Sequence, residues 1–89
     1  MIDPLRQLEV QFRAIVQDRP ELTVQALHGM LRIVDVSGNA SEPPKILATV
    51  VEEFSTGFRY RFSIPGCSLG PLMASECISN AERLVKAHA

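Results

Sequence analysis

Two cysteines, two histidines and no long apolar run leave several function classes without their raw material. Cys67 and Cys77 are too few for a disulfide scaffold, so both are expected to be reduced and structural. His28 and His88 lie far apart along the chain, and a four-ligand zinc site is not expected. No cofactor motif is present, so no cofactor is expected. No stretch of roughly 18 apolar residues occurs, which argues against a membrane span. The opening MIDPLRQLEV lacks the basic start and apolar run of a secretory signal, and the expected compartment is the cytoplasm.

Excess charge of either sign is also missing. Nine basic residues against ten acidic ones give a net charge of -1. That excludes a strongly basic stripe of the kind that grips a phosphate backbone. It equally excludes an acidic surface that would mimic DNA. Repeats, low-complexity segments and linkers are absent too.

What is there suffices for one domain over residues 1–89. Apolar residues make up 46% of the chain, an ordinary globular share. A chain this size buries only about 60–65% of its unfolded surface, so its stability margin is thin. Leftover apolar faces are then covered by a copy or a partner.

The first element is a helix. Asp3 is placed to cap it and Pro4 fits its first position. Leu5, Leu8, Phe12, Ile15 and Val16 recur at helical spacing, and Pro20 ends the run. The stretch Glu21–Val36 is ambiguous. Its β-branched residues favour a strand over 30–36, with a turn or short strand before it. Leu22, Ala26, Leu27, Met30 and Leu31 also fit a helical stripe. Ser37–Lys45 is a loop by composition. ILATVVEEF over 46–54 and FRYRFSI over 58–64 then make a hairpin, with Gly57 in the left-handed position of an STG turn. The second strand alternates Phe58, Tyr60, Phe62 and Ile64 with Arg59, Arg61 and Ser63, the aromatic side facing the core. Pro65 and Gly66 close it, and a last helix after Pro71 carries Met73, Cys77, Ala81, Leu84 and Val85 on one side.

The expected fold class is therefore α+β: helix, three-stranded antiparallel β-meander, helix, an αβββα two-layer arrangement with both helices on one face of the sheet. This order resembles that of the double-stranded-RNA-binding domain. The resemblance implies a nucleic-acid-binding relative, although the stretch GCSLGPLMASEC carries no lysine or arginine where that family has a lysine-rich signature. RPELTVQALHGMLRIVD resembles, more weakly, the second helix of a winged-helix regulator.

Gly66-Cys67-Ser68-Leu69-Gly70 resembles the nucleophile elbow of the α/β-hydrolases, with Ser68 as nucleophile. The acids and histidine that follow, Glu76, Glu82 and His88, all lie on the expected last helix. At about 1.5 Å per residue His88 falls some 25–30 Å from its start, so a triad does not assemble. The loop reads better as a cap on that helix. Its N–H groups would also favour an anion or a reactive Cys67 there.

Elimination leaves a non-catalytic protein-binding module, an adaptor or inhibitor of a larger assembly. A divergent nucleic-acid-binding domain is the alternative, and a serine hydrolase the remote one. Arg59 and Arg61 share one face of their strand, where two guanidinium groups can grip carboxylates or phosphates or pair with Glu52 or Glu53. The residues expected to contact a protein partner are Arg59 and Arg61, with Glu42 and Lys45 of the 37–45 loop. A homodimer through a sheet edge or an exposed helix side is compatible with each reading.

Overall fold

The apolar stripe on the first helix sets up the core. In the computed structural model, which describes residues 4–38, 41–53 and 59–88, helix α1 spans Pro4–Val16. Leu5, Leu8, Phe12 and Val16 are buried, and Phe12 loses all solvent contact. The Asp3 cap lies outside the described residues.

The ambiguous stretch resolves as two strands. Strand β1 covers Leu22–Leu27 and β2 covers Met30–Asp35. They pair antiparallel around a His28–Gly29 turn. Gly29 adopts a φ of 75°, a left-handed value that favours glycine over any residue with a Cβ. Val24 and Leu31 are buried on alternating positions, a period-2 pattern that a helix cannot satisfy.

Strand β3 covers Lys45–Glu53 and β4 covers Arg59–Ile64. The two pair antiparallel, with Glu53 opposite Arg59 and Val51 opposite Arg61. The STG turn with Gly57, and the side chains of Phe54 and Phe58, lie outside the described residues. Between β2 and β3 the register shifts, so Ile33 faces Ala48 while Val34 faces Ile46. Leu47 is the extra residue of this bulge, and it turns into the core.

A fifth strand overturns the three-stranded expectation. Cys67–Leu72 forms β5, antiparallel to β4 at the sheet edge. The sheet order is β1-β2-β3-β4-β5. Pro65 and Gly66 make a two-residue turn between paired Ile64 and Cys67, with Gly66 at φ 83°. The Pro-Gly pair thus reverses the chain into another strand instead of ending the sheet. Gly70 lies hard against the β4 backbone: a Cβ there would lie 3.1 Å from the Tyr60 carbonyl oxygen. Pro71, which has no N–H to donate, is tolerated because β5 is an edge. With five strands, the order shared with the double-stranded-RNA-binding domain is lost, and the winged-helix likeness falls on a β-hairpin.

Helix α2 runs Ala74–Ala87, later than a start directly after Pro71. The Glu76 carboxylate accepts a 3.0 Å bond from the Met73 N–H at its first turn. Cys77, Ala81 and Val85 bury its inner face. Both helices cover the same side of the sheet, touching each other and the residues Val24, Ile33, Val50, Tyr60 and Phe62. Arg19 ties the ends together. It donates to the carbonyls of Val85 and His88, each at 2.7 Å, satisfying orphan acceptors at the end of α2. The His88 ring meets the Asp35 carboxylate at 2.7 Å.

Candidate partner-binding face

Strand alternation dictates what the sheet shows on its other side. Since Val24, Leu31, Val50 and Phe62 point to the helices, the intervening residues point away, where no helix of the described residues lies. Val34 closes one end of this second face and is fully buried. Beyond it Gln25, Met30, Arg32, Thr49, Val51, Arg61 and Ser63 are half-exposed, and Leu27 and Ser68 are exposed.

The strand registers align them into rows. One row crosses all five strands as Gln25, Arg32, Thr49, Ser63 and Ser68, every one polar. The next crosses four strands as Leu27, Met30, Val51 and Arg61. Arg59 stands opposite Glu53 in a third. Among the described strand residues, this face carries Arg32, Arg59 and Arg61 against Glu53 alone. It is positive, although the chain as a whole is at -1.

Arg61 is well provided for. Its guanidinium contacts the Glu53 carboxylate at 2.6 and 2.7 Å and donates to the Ser68 hydroxyl at 3.2 Å. Arg32 is not: its Nε is buried and has no hydrogen-bond partner. The side chains nearest it by register and alternation are Gln25, Thr49, Met30 and Val34, none of them acidic. A half-buried cation among neutral neighbours loses hydration without recovering it in an ion pair. Sequence reasoning passed over Arg32. Alternation within MLRIVD places it on the polar side, but only the register shows that no acid stands across from it.

The four residues expected at a partner site do not come together. Arg59 and Arg61 share the uncovered face. Lys45 begins β3 and Glu53 ends it, so Lys45 and Arg59 lie roughly 26 Å apart at opposite ends of the sheet. Glu42 is an exposed residue of the loop before β3. Asn39 and Ala40 of that loop lie outside the described residues.

The Gly66–Gly70 motif is not an elbow. Ser68 lies on edge strand β5, and its hydroxyl meets Arg61 Nη1 at 3.2 Å and the Ser63 hydroxyl at 3.3 Å. A guanidinium cannot take a proton from serine. His88 is engaged by Asp35, and His28 turns the hairpin four strands away, roughly 19 Å or more. Nor does Cys67 stand at a helix start, because β5 separates it from α2. Both thiols are free: Cys67 is exposed and Cys77 is buried. Burial, with Glu76 nearby, pushes the Cys77 thiol up to about 11. Elsewhere, Arg6, Glu9, His28 and Glu52 rim a cleft where α1 overhangs the β1–β2 turn. No group of three potential metal ligands converges among the described residues. No helix among them is long and apolar enough to cross a membrane.

Comparison of the chain with protein-family models, with curated proteins and with solved structures gives no match.

Proposed function

We propose that this chain is a non-catalytic protein-binding module that receives an acidic segment of a partner on the uncovered face of its sheet. The observation that carries the reading is the buried, unpartnered Nε of Arg32. With no acid beside it in the free protein, the half-exposed Arg32 gains a charge-assisted bond when a partner carboxylate meets the outer nitrogens of its guanidinium. Met30, Val51 and Leu27 give the same partner apolar surface to cover, Leu27 being 44% exposed. Arg32 and Arg61 stand two strands and two residues apart, roughly 12 Å. In an extended chain that separates carboxylates about four residues apart. A second copy is a poor occupant, since two positive faces repel.

The test is a peptide-display selection on the immobilised protein, followed by affinity measurement against Arg32→Met, Arg61→Ala and, as a control on the other side of the molecule, Arg83→Ala. Selected peptides should carry Asp or Glu beside apolar residues, should bind Arg32→Met and Arg61→Ala more weakly, and should bind Arg83→Ala normally. Neutral or basic peptides, or affinity indifferent to Arg32, would overturn the reading. Duplex or single-stranded RNA bound through the same arginines, with affinity falling steeply with salt, would replace it with nucleic-acid binding.

A further inference from the structure

The two edges of the sheet are built differently. β5 is blunted by Gly70, by Pro71 and by a register shift against β4. β1, LTVQAL, has no proline, no charge and no bulge against β2 along its six residues. Edge strands in monomeric proteins are usually protected by at least one of those devices, because their unpaired main-chain groups otherwise recruit another strand.

The phase of hydrogen bonding shows which groups are unpaired. The Val36 N–H donates to the Glu21 carbonyl at 2.8 Å. Bonded pairs therefore recur at Thr23–Val34, Gln25–Arg32 and Leu27–Met30, while Leu22, Val24 and Ala26 aim their main-chain groups away from β2. The Leu22 N–H is taken by the Arg19 carbonyl at 3.0 Å. That leaves the N–H groups of Val24 and Ala26, with the carbonyls of Leu22, Val24 and Ala26, facing outward.

We infer that this edge pairs with the same edge of a second copy, about a two-fold axis through Val24, to give a continuous ten-stranded sheet. In that register Val24 of one copy exchanges both main-chain bonds with Val24 of the other. The Ala26 N–H donates to the Leu22 carbonyl across the axis, and the symmetric bond repeats it. The axis is perpendicular to the sheet, so faces are preserved and both copies keep their helices on the same side. α1 packs more heavily on β1 than on β2, which brings the two α1 helices alongside each other. The flank of α1 turned away from α2 carries Arg6, Glu9 and Arg13, with Glu9 and Arg13 bonded at 2.9 Å. Run antiparallel, two such mixed-sign flanks do not repel as two single-sign ones would. A lone extended peptide fits the edge less well. It would add a strand whose inner side chains lie beyond the cover of α1, whereas a second copy arrives with its own helix.

Sedimentation equilibrium across micromolar to millimolar concentrations reads the association, one chain being 9.8 kDa. The expected mass doubles with concentration. Ala26→Pro removes an outward N–H and no bond to β2, so it should leave the fold intact while weakening dimerisation at least tenfold. Hydrogen exchange on the unaltered protein provides a second reading. The Val24 and Ala26 amides should be protected at high concentration and exchange freely on dilution. A single-chain mass throughout, a folded Ala26→Pro variant that dimerises normally, or free exchange of both amides in the dimer would each overturn the inference. None of these results depends on the arginine-bearing face, so the two proposals stand or fall separately.

Discussion

Arg32→Met should make the free protein more stable and its partner binding weaker. The guanidinium Nε is buried without a partner, and leaving a buried donor unsatisfied costs about 1–3 kcal/mol. Methionine keeps an unbranched stem of similar reach beside its neighbours on the sheet, Met30, Val34 and Thr49, so little packing is lost. Part of the gain is offset because the outer nitrogens of Arg32 lose favourable contact with water. A net stabilisation of about 1 kcal/mol remains, and in a domain of this length it raises the melting temperature by roughly 4–8 °C. The same change removes the cation that the partner carboxylate would meet. A bond to a charged group contributes about 1.5–3 kcal/mol, so affinity should fall roughly ten- to hundredfold. Differential scanning calorimetry of wild type and variant measures the first effect, and titration with a selected peptide the second. A folded variant that melts below the wild type refutes the reasoning: the guanidinium would then contribute to the fold, and its unpaired state would be no sign of a missing partner.

Two further outcomes follow from groups elsewhere. Asp35 is held down at about 2, against an ordinary 3.8, by hydrogen bonds from the Ser37 hydroxyl and N–H and then from His88. The carboxylate is thus the favoured form in the folded state, and its stabilisation is complete above about pH 4 and lost as the pH falls through about 2. Melting temperatures between pH 5 and 2 should drop more steeply for wild type than for Asp35→Asn; equal slopes would remove Asp35 from the linkage. Thiol titration with an aromatic disulfide reagent at neutral pH should show one fast cysteine, Cys67, in the native protein and two after denaturation, because Cys77 is buried and its thiolate disfavoured. Two fast thiols in the native state would mean that α2 does not stay packed on the sheet.

What the sequence determined by itself was every element whose periodicity is strong and whose burial is one-sided. The stripe of Leu5, Leu8, Phe12 and Val16 admits only a helix, and the alternation of Tyr60 and Phe62 with Arg59 and Arg61 admits only a strand. That Arg59 or Arg61 would meet Glu52 or Glu53 was legible from the two strands, but not which pair: the register sets Glu53 opposite Arg59, and the contact is made diagonally by Arg61. Cys77, Ala81 and Val85 likewise announced the inner face of α2.

The tertiary structure decided the rest. LTVQAL and CSLGPL are edge strands, each paired on one side only. All but the last residue of β5 are exposed, so it carries none of the alternation that a half-buried strand shows, while β1 alternates over Leu22–Gln25 and then ends on exposed Ala26 and Leu27. β5 also contains a glycine and a proline, residues that propensity assigns to loops, and only the proximity of β4 makes it a strand. The consequence for function is larger. Whether Arg32 has an acid across from it depends on register, and register is set by the two-residue turn at Gly29 and the bulge at Leu47. Those are long-range pairings, in which a shift of one residue would have turned Arg32 toward the helices. A linear chain holds the guanidinium, but only the assembled sheet leaves its Nε buried and without a partner.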